Sequence, residues 1–323
     1  MNTKKTVSIL DTTSSEVRSV IQQILGVDYN LCFAESYDRA EQLSLAKAAD
    51  YIWVGWPPVD AEMIASSSHL KVIHKCGVGV DDIDVATAKQ KDIKVFITSG
   101  VNAVPVSELS LLLMMTLFRR LPMADSSMRE GLWIKKEMRG LSHHLTGKIV
   151  GIVGMGNIGK NLAKLLRGFD CRVLYYDVMR LDPSLESSMN VQFAPMDEII
   201  QNSDAISLHM PLTQETKGLF NYAVFKRMKK EAVFINCARG ELVVELDLIR
   251  ALQEECILGA GLDVFDQEPL SADNPLLKLK NVVLTPHIAG STINNMNLRA
   301  ERIKRNLNAF DGGGVIHPSD IIA

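Results

Sequence analysis

Residues 148–177, KIVGIVGMGNIGKNLAKLLRGFDCRVLYYD, decide the fold. An apolar β-branched run leads into Gly154-Met155-Gly156-Asn157-Ile158-Gly159, and helical spacing of apolar residues follows at once. A second apolar run then ends in Asp177, 18 residues past Gly159 (177 − 159). Strand, glycine turn, helix and a strand closing on an acid form the layout of a βαβ unit that holds a dinucleotide. Gly154 permits the tight turn, Gly156 lets the backbone approach a pyrophosphate, and Gly159 lets helix and strand pack closely. The amides that open the helix, at Asn157 and Ile158, offer positive potential to the anion. Asp177 accepts hydrogen bonds from ribose hydroxyls and repels a 2′-phosphate, so the expected cofactor is NAD and not NADP. Arg180, three residues on, reads as a solvated loop charge, although an arginine there can also meet a 2′-phosphate. Taken alone, the glycine motif also fits a Rossmann unit serving another nucleotide or an S-adenosyl ligand.

On the N-terminal side, VSIL (7–10), YIWVGW (51–56), KVIHKC (71–76) and KVFIT (94–98) read as strands. EVRSVIQQIL (16–25), DRAEQLSLAKA (38–48) and DVATAKQK (84–91) have helical spacing between them. After 148–154 come CRVLYYD (171–177), AISLHM (205–210), AVFINC (232–237), GAGLDVF (259–265) and NVVLTP (281–286), six strands in this second series. The alternation predicts an α/β chain with two Rossmann-like domains built on doubly wound parallel sheets. A long helix is expected from Pro105 to the region of Pro122. It is too apolar to face solvent, so it is buried in its domain or packs on a second subunit. A last helix, about 292–310, leads to the Gly312-Gly313-Gly314 turn.

Bulk properties exclude several classes. A net charge of −3 over 323 residues leaves no basic excess to grip nucleic acid. The longest apolar stretch, LSLLLMMTLF at 109–118, is too short to span a bilayer. The N-terminus reads as a first strand and not as a signal peptide. Five scattered cysteines without CxxC spacing suit reduced thiols in a cytoplasmic protein. No metal is expected, since His143-His144 has no cysteine or carboxylate placed to help it.

Three later segments carry the chemistry. NCARG sets Arg239 just after a strand, DVFDQEP sets Glu268 just after the next, and TPHIAG sets His287 after the last. In a parallel sheet these strand ends share the edge where the glycine loop lies. Reduction of a 2-oxo acid needs such a set. A guanidinium fork holds the substrate carboxylate, or bridges it and the carbonyl oxygen. An imidazolium protonates the carbonyl oxygen as hydride arrives, and a carboxylate orients the imidazole and stabilises its charged form.

With these segments the chain resembles the D-isomer-specific 2-hydroxyacid dehydrogenases nearly end to end, through HKCGVGVDDID, LTGKIVGIVGMGNIGK, LHMPLT, NCARGELV, GAGLDVFDQEP and TPHIAGST. The resemblance implies that Arg239 is the catalytic arginine, Glu268 the acidic partner and His287 the acid/base, which also borders the cofactor. It implies that Asp263 contacts the nicotinamide carboxamide and that the backbone of Cys237 and Ala238 lies along the cofactor. The amides of Cys76, Gly77, Val78 and Gly79 would bind the substrate carboxylate, and Asn102 would reach the active site. The layout implied is a discontinuous substrate (catalytic) domain, 1–101 with 291–323, and an NAD-binding domain, 102–290. The apolar helix is similar to the one through which family members form homodimers. Cys237 itself reads as a small core residue. His209 fits either a cofactor contact or a structural role, and Lys75 either an anion contact or a solvated charge.

GVGVD looks most like the loop of phosphoglycerate or glyoxylate/hydroxypyruvate enzymes. Formate-oxidising relatives carry glutamine where this chain has Glu268, and phosphite-oxidising ones a lysine where it has Val78. D-Lactate enzymes typically carry an aromatic near Val80. The chain ends soon after the last helix, so no C-terminal regulatory domain is expected. An NAD-sensing interaction protein of the same fold, corepressor-like, is the alternative from another class.

Overall fold

The computed structural model describes residues 4–323, and among these twelve strands form two separate parallel sheets. The described residues through Asn102 join Ser291–Ala323 in one unit, and Ala103–Gly290 form the other.

In the first unit β1 (Thr6–Ile9), β2 (Asn30–Phe33), β3 (Tyr51–Val54), β4 (Val72–Lys75) and β5 (Lys94–Phe96) lie in the order β2-β1-β3-β4-β5. Every residue of β3 and β4 is buried, because helices cover both faces of the sheet. The helices start where short polar side chains stop extended backbone. Ser14, Asp38, Asp60 and Asp84 each accept an amide of the first turn. β2 was not among the expected strands: NLCF is a partly exposed edge of four residues and carries no β-branched residue.

The C-terminal helix, Ile293–Gly312, packs on Ser15–Leu25 and stops at Gly313, whose φ is +66°. Beyond it the tail returns to the sheet. Ile321 pairs antiparallel with Phe96, and the Ile322 amide donates to Val95 O at 2.9 Å. Asp320 is fully buried. Its Oδ2 accepts Arg302 Nη1 at 2.8 Å and Asn306 Nδ2 at 3.2 Å, and its Oδ1 accepts the Ser99 amide at 3.1 Å. Asn306 also meets His74 Nε2 at 3.1 Å. The HPSDIIA ending thus covers the outer edge of β5, held by backbone hydrogen bonds to Val95 and Ile97 and by one buried charge.

Burial drives the His74 imidazole down to about 4, against opposing pulls from the Lys75 carbonyl and Asp320. The unfolded chain takes up this proton near its ordinary value, so stability is constant at neutral pH and falls between about 6.5 and 4. From pH 7 to near pH 4.5 this one group accounts for about 2 kcal/mol, read from urea midpoints. His209, driven by burial to about 3, adds a slope of the same sign in that window, so His74→Gln should remove roughly half of the histidine-linked slope; a slope equal to the parent's would show that His74 contributes none of it.

In the second unit β6 (Ile149–Val153), β7 (Arg172–Tyr176), β8 (Val191–Phe193), β9 (Ala205–Leu208), β10 (Val233–Asn236), β11 (Gly259–Leu262) and β12 (Val282–Leu284) form one sheet. Their order is β12-β11-β10-β9-β6-β7-β8. The six expected strands are present, and a seventh, β8, corrects the count. It is three residues long, VQF, enclosed by Asn190 in left-handed backbone and by Pro195, too short to show a period.

The long helix spans Ala103–Phe118 with Pro105 in its first turn. It ends earlier than expected. Arg120 takes φ +50°, and Pro122 opens the next helix, Leu121–Arg129, where its missing N–H is harmless. One face, with Leu113, Met114 and Leu117, is buried against β10 and β11. β11 is GAGL for that reason: a Cβ on Gly261 would lie 2.9 Å from Leu113 Cβ.

Candidate active site at the strand ends of the dinucleotide unit

Strand order reverses between β6 and β9, which opens a crevice at their C-terminal ends, the usual place for a ligand in such a sheet. Gly154 sits there with φ +100°, and a Cβ on it would come within 2.5 Å of the His209 carbonyl carbon. Only glycine lets the two strand ends approach so closely. Gly159 is buried, its Cα turned onto Gly154 O. Gly156, by contrast, is exposed with nothing near the position of a Cβ. It caps the helix Asn157–Leu166, whose first amides receive no side-chain cap. Asn157 is exposed and Ile158 half-buried at this helix start. The result is an open, positively polarised cradle with the shape and charge for a pyrophosphate. Asp177 braces it: Oδ2 accepts the Met155 amide at 2.7 Å and Oδ1 the Met179 amide at 3.2 Å.

Along the same edge, β10, β11 and β12 end beside one another. After β10, Asn236 folds the chain back, accepting the Ala238 amide at 3.0 Å and donating to Arg239 O at 2.8 Å. Arg239 is half-buried, with Nη1 on the Ala238 carbonyl at 2.7 Å. Gly240 follows, pressed against the next loop. After β11, Glu268 Oε1 accepts the Phe265 amide at 3.1 Å, and Oε2 meets His287 Nδ1 at 2.6 Å. Burial alone would raise the Glu268 carboxyl. The His287 hydrogen bond and charge, the Phe265 amide and the Arg239 charge outweigh it and hold the group below its ordinary value. Since Nδ1 of His287 is bound to Glu268, proton exchange with a ligand is left to Nε2.

His287 has φ +52°, a left-handed backbone costly for a branched side chain and common at working sites. Asp263 explains how it is held. This carboxylate is fully buried at the end of β11. Oδ1 accepts Thr285 Oγ1 at 2.7 Å and the Ile288 amide at 2.8 Å, and Oδ2 accepts the Ala289 amide at 2.8 Å. Its carbonyl takes the His287 amide at 2.8 Å. Burial raises the Asp263 carboxyl despite these bonds. The contact expected of Asp263 was with the cofactor; both of its oxygens are engaged by the turn that carries His287.

A family model described as D-isomer specific 2-hydroxyacid dehydrogenase, NAD binding domain, matches residues 111–289. The chain belongs to that family. A glyoxylate reductase of Korarchaeum cryptofilum is 40% identical over 80% of this chain and 78% of its own. A D-3-phosphoglycerate dehydrogenase of Archaeoglobus fulgidus is 40% identical over 72% of this chain but only 44% of its own length. Among solved structures, an NAD-dependent formate dehydrogenase from Staphylococcus aureus, in complex with NAD, is 28% identical. It covers 99% of both chains with a TM-score of 0.87. This protein is therefore an NAD-dependent oxidoreductase of D-2-hydroxy acids.

The remaining candidate residues of the dehydrogenase differ in burial. Cys237 is buried among Val233, Ile235 and Leu113, and its thiol is pushed up to about 12, so thiolate chemistry is closed to it. Ala238 is half-buried at the strand end. His209 is neutral, driven by burial to about 3; Nε2 meets Ser207 Oγ at 2.9 Å and Nδ1 is buried without a partner among the described residues. That orphan nitrogen beside the glycine loop, with the open space at Gly156, fits a bound dinucleotide. In the other unit, Cys76 is buried and Gly77 O accepts the Thr98 amide at 2.9 Å. No hydrogen bond from the amides of Gly77, Val78 or Gly79 appears among the described residues. Asn102 ends that unit, half-buried. Lys75 is not a solvated lysine: its side chain is 8% exposed and pairs with Asp82.

Sequence reasoning passed over Gly240 and the clamp made by Asp263. A buried acid inside the apolar run GLDVF was the available signal, because a charge there must find donors.

Proposed function

We propose that this dehydrogenase interconverts a 2-oxo acid and its D-2-hydroxy acid of the glyoxylate, hydroxypyruvate or phosphohydroxypyruvate class. The observation that carries the reading is the His287–Glu268 pair on the sheet edge that also bears the open glycine cradle. When bound, NADH supplies the hydride that adds to C2. His287 Nε2 gives a proton to the carbonyl oxygen, while Glu268 keeps Nδ1–H fixed and stabilises the charged ring. Arg239 holds the substrate carboxylate with its fork, so that C2 faces the cofactor. Oxidation runs the same proton back to Nε2. Gly154, Gly156, Asn157, Ile158 and Gly159 hold the pyrophosphate, Asp177 the ribose, and the backbone at Cys237–Ala238 the rest of the cofactor. Asp263 acts on that site through the His287 turn.

On the same reading, the unit formed by the segments through Asn102 and from Ser291 is the substrate domain. The amides of Gly77, Val78 and Gly79, together with Asn102, bind the substrate there; the Cys76 amide, expected to join them, is instead committed to Val54 O at 2.6 Å and continues the strand pairing. Five free cysteines suit the reducing cytoplasm; no helix among the described residues is long and apolar enough to cross a membrane. Val104, Leu112, Leu121 and Met128 are exposed on consecutive helices, and Leu132 and Trp133 in the connection that follows, Trp133 by 75%. Such a patch calls for a partner, and a homodimer supplies one; a monomeric mass in sedimentation would remove that assignment.

The test is NADH consumption against a panel of 2-oxo acids, repeated with NADPH. Turnover of one acid with clear NADH preference is expected, and silence across the panel despite tight NADH binding would overturn the reading. Asp177→Ala should narrow the NADH preference by about tenfold or more, since repulsion of the 2′-phosphate is lost; an unchanged ratio would mean that another group reads the ribose.

A further inference from the structure

The loop after Asp177 carries a cation whose position is fixed. Arg180 Nε and Nη2 each donate to one oxygen of Glu186, both at 2.9 Å, and the guanidinium lies 5.4 Å from the centroid of the Phe193 ring. Glu186 stands on the helix Pro183–Met189 and is 8% exposed. Tyr175 Oη donates to Glu186 Oε1 at 2.6 Å and accepts the Leu181 amide at 2.9 Å. Bonds from Arg180 and Tyr175 pull the Glu186 carboxyl down to about 2, so it stays ionised at any working pH. A lone surface ion pair would leave the arginine free to wander. Here a two-pronged bond, a ring under the guanidinium and a buried tyrosine all fix the same geometry.

We propose that Glu186 is a specificity-determining positioning residue, which tethers Arg180 away from the ribose of the cofactor and so reinforces the choice of NAD over NADP. The chemistry is simple. A 2′-phosphate needs a cation close by to offset Asp177, and Arg180 is the cation in this loop, three residues from that aspartate. Val178 and Met179 between them are 90% and 78% exposed, so little packing holds the intervening chain. The tether to Glu186 does that work. NAD selection then has two parts, an acid that repels the phosphate and a second acid that withholds the arginine.

The inference rests on the assignment of Asp177 to the ribose, and the test separates the two. NADH and NADPH affinities are measured by fluorescence titration, with kcat/KM for each. Asp177→Ala alone tests the ribose assignment. Adding Glu186→Gln, which keeps the volume and a bond to Tyr175 but removes the charge, should raise the NADPH:NADH ratio a further three- to tenfold, roughly the worth of one partly exposed cation on a phosphate. Adding Arg180→Ala to that pair should erase the gain. No gain, or a gain that survives loss of Arg180, overturns the proposal whatever Asp177→Ala does. Arg180→Ala in the parent chain is a second arm that leaves the packed Glu186 in place. It should leave the ratio within about twofold; a clear drop in NADPH affinity would show that Arg180 already reaches the phosphate, and the tether would be refuted.

Discussion

His287→Ala lowers kcat by about 10²- to 10⁴-fold and leaves the Kd for NADH within about threefold of the parent value. On the proposed assignment the two readouts separate, because the residue's work would lie in proton transfer and the grip on the dinucleotide in the glycine cradle at the far side of the sheet edge. The backbone of the turn survives the substitution, since Asp263 holds the amides of Ile288 and Ala289 whatever side chain stands at 287. Glu268→Gln should fall between the parent and His287→Ala: an amide can still accept from Nδ1 at 2.6 Å but brings no charge to stabilise the imidazolium. The pH profile carries a sign that can be checked. The folded Glu268 carboxyl lies below its ordinary value, so its stabilising charge is complete above that ordinary value and is lost only as pH falls through the lower, folded one. A break in kcat/KM above about pH 5 therefore does not belong to Glu268. Equal turnover in His287→Ala and parent would end the assignment of the acid/base.

What the sequence revealed and what it hid follow from the range of the interactions. The glycine loop and its strand, helix and acid are local, contained within residues 149–177, and their order alone specifies the geometry found. That the three candidate residues share one edge was legible for a related reason: each lies in the loop after a strand, and parallel strands deliver their ends to one edge. β2 and β8 were hidden although the edge strands β5 and β12 are not longer: NLCF has no β-branched residue and VQF is interrupted by a glutamine, so the pairing partner and not composition makes each a strand. Pro122 was read as an ending when it is a beginning, a matter settled by the left-handed turn at Arg120 that no local pattern announces. The state of Arg180 was the hardest to foresee. Its side chain is 59% exposed, as a solvated loop charge would be, yet it is also paired with an acid six residues later and set against a ring from β8, a strand the sequence did not display. Asp263 and Gly240 belong to the same class, since their meaning lies in loops from neighbouring strands.

Gly240→Ala should therefore be among the most damaging single substitutions in the chain, although it removes no functional group. A Cβ at this position would stand 2.0 Å from both the carbonyl carbon and the oxygen of Phe265, and 2.5 Å from the Asp266 amide nitrogen. All three are backbone atoms, so no rotamer change relieves the clash; the loops after β10 and β11 must separate by more than an ångström. Those loops carry Arg239 on one side and, through the Phe265 amide, the bond that holds Glu268 on the other. Overpacking of this kind costs about 3 kcal/mol or more when the obstruction cannot move aside. The displacement also costs roughly 10²-fold in kcat/KM, because the arginine fork and the imidazole lose their common register. The two effects are told apart by assaying at low temperature. There the variant retains its folded far-UV signal and binds NADH at the cradle, which lies on β6 and is untouched, yet turns over slowly. A variant with the parent's urea midpoint and turnover would show that the 265–266 turn yields without consequence. The close contact at Gly240 would then have no part in aligning the site.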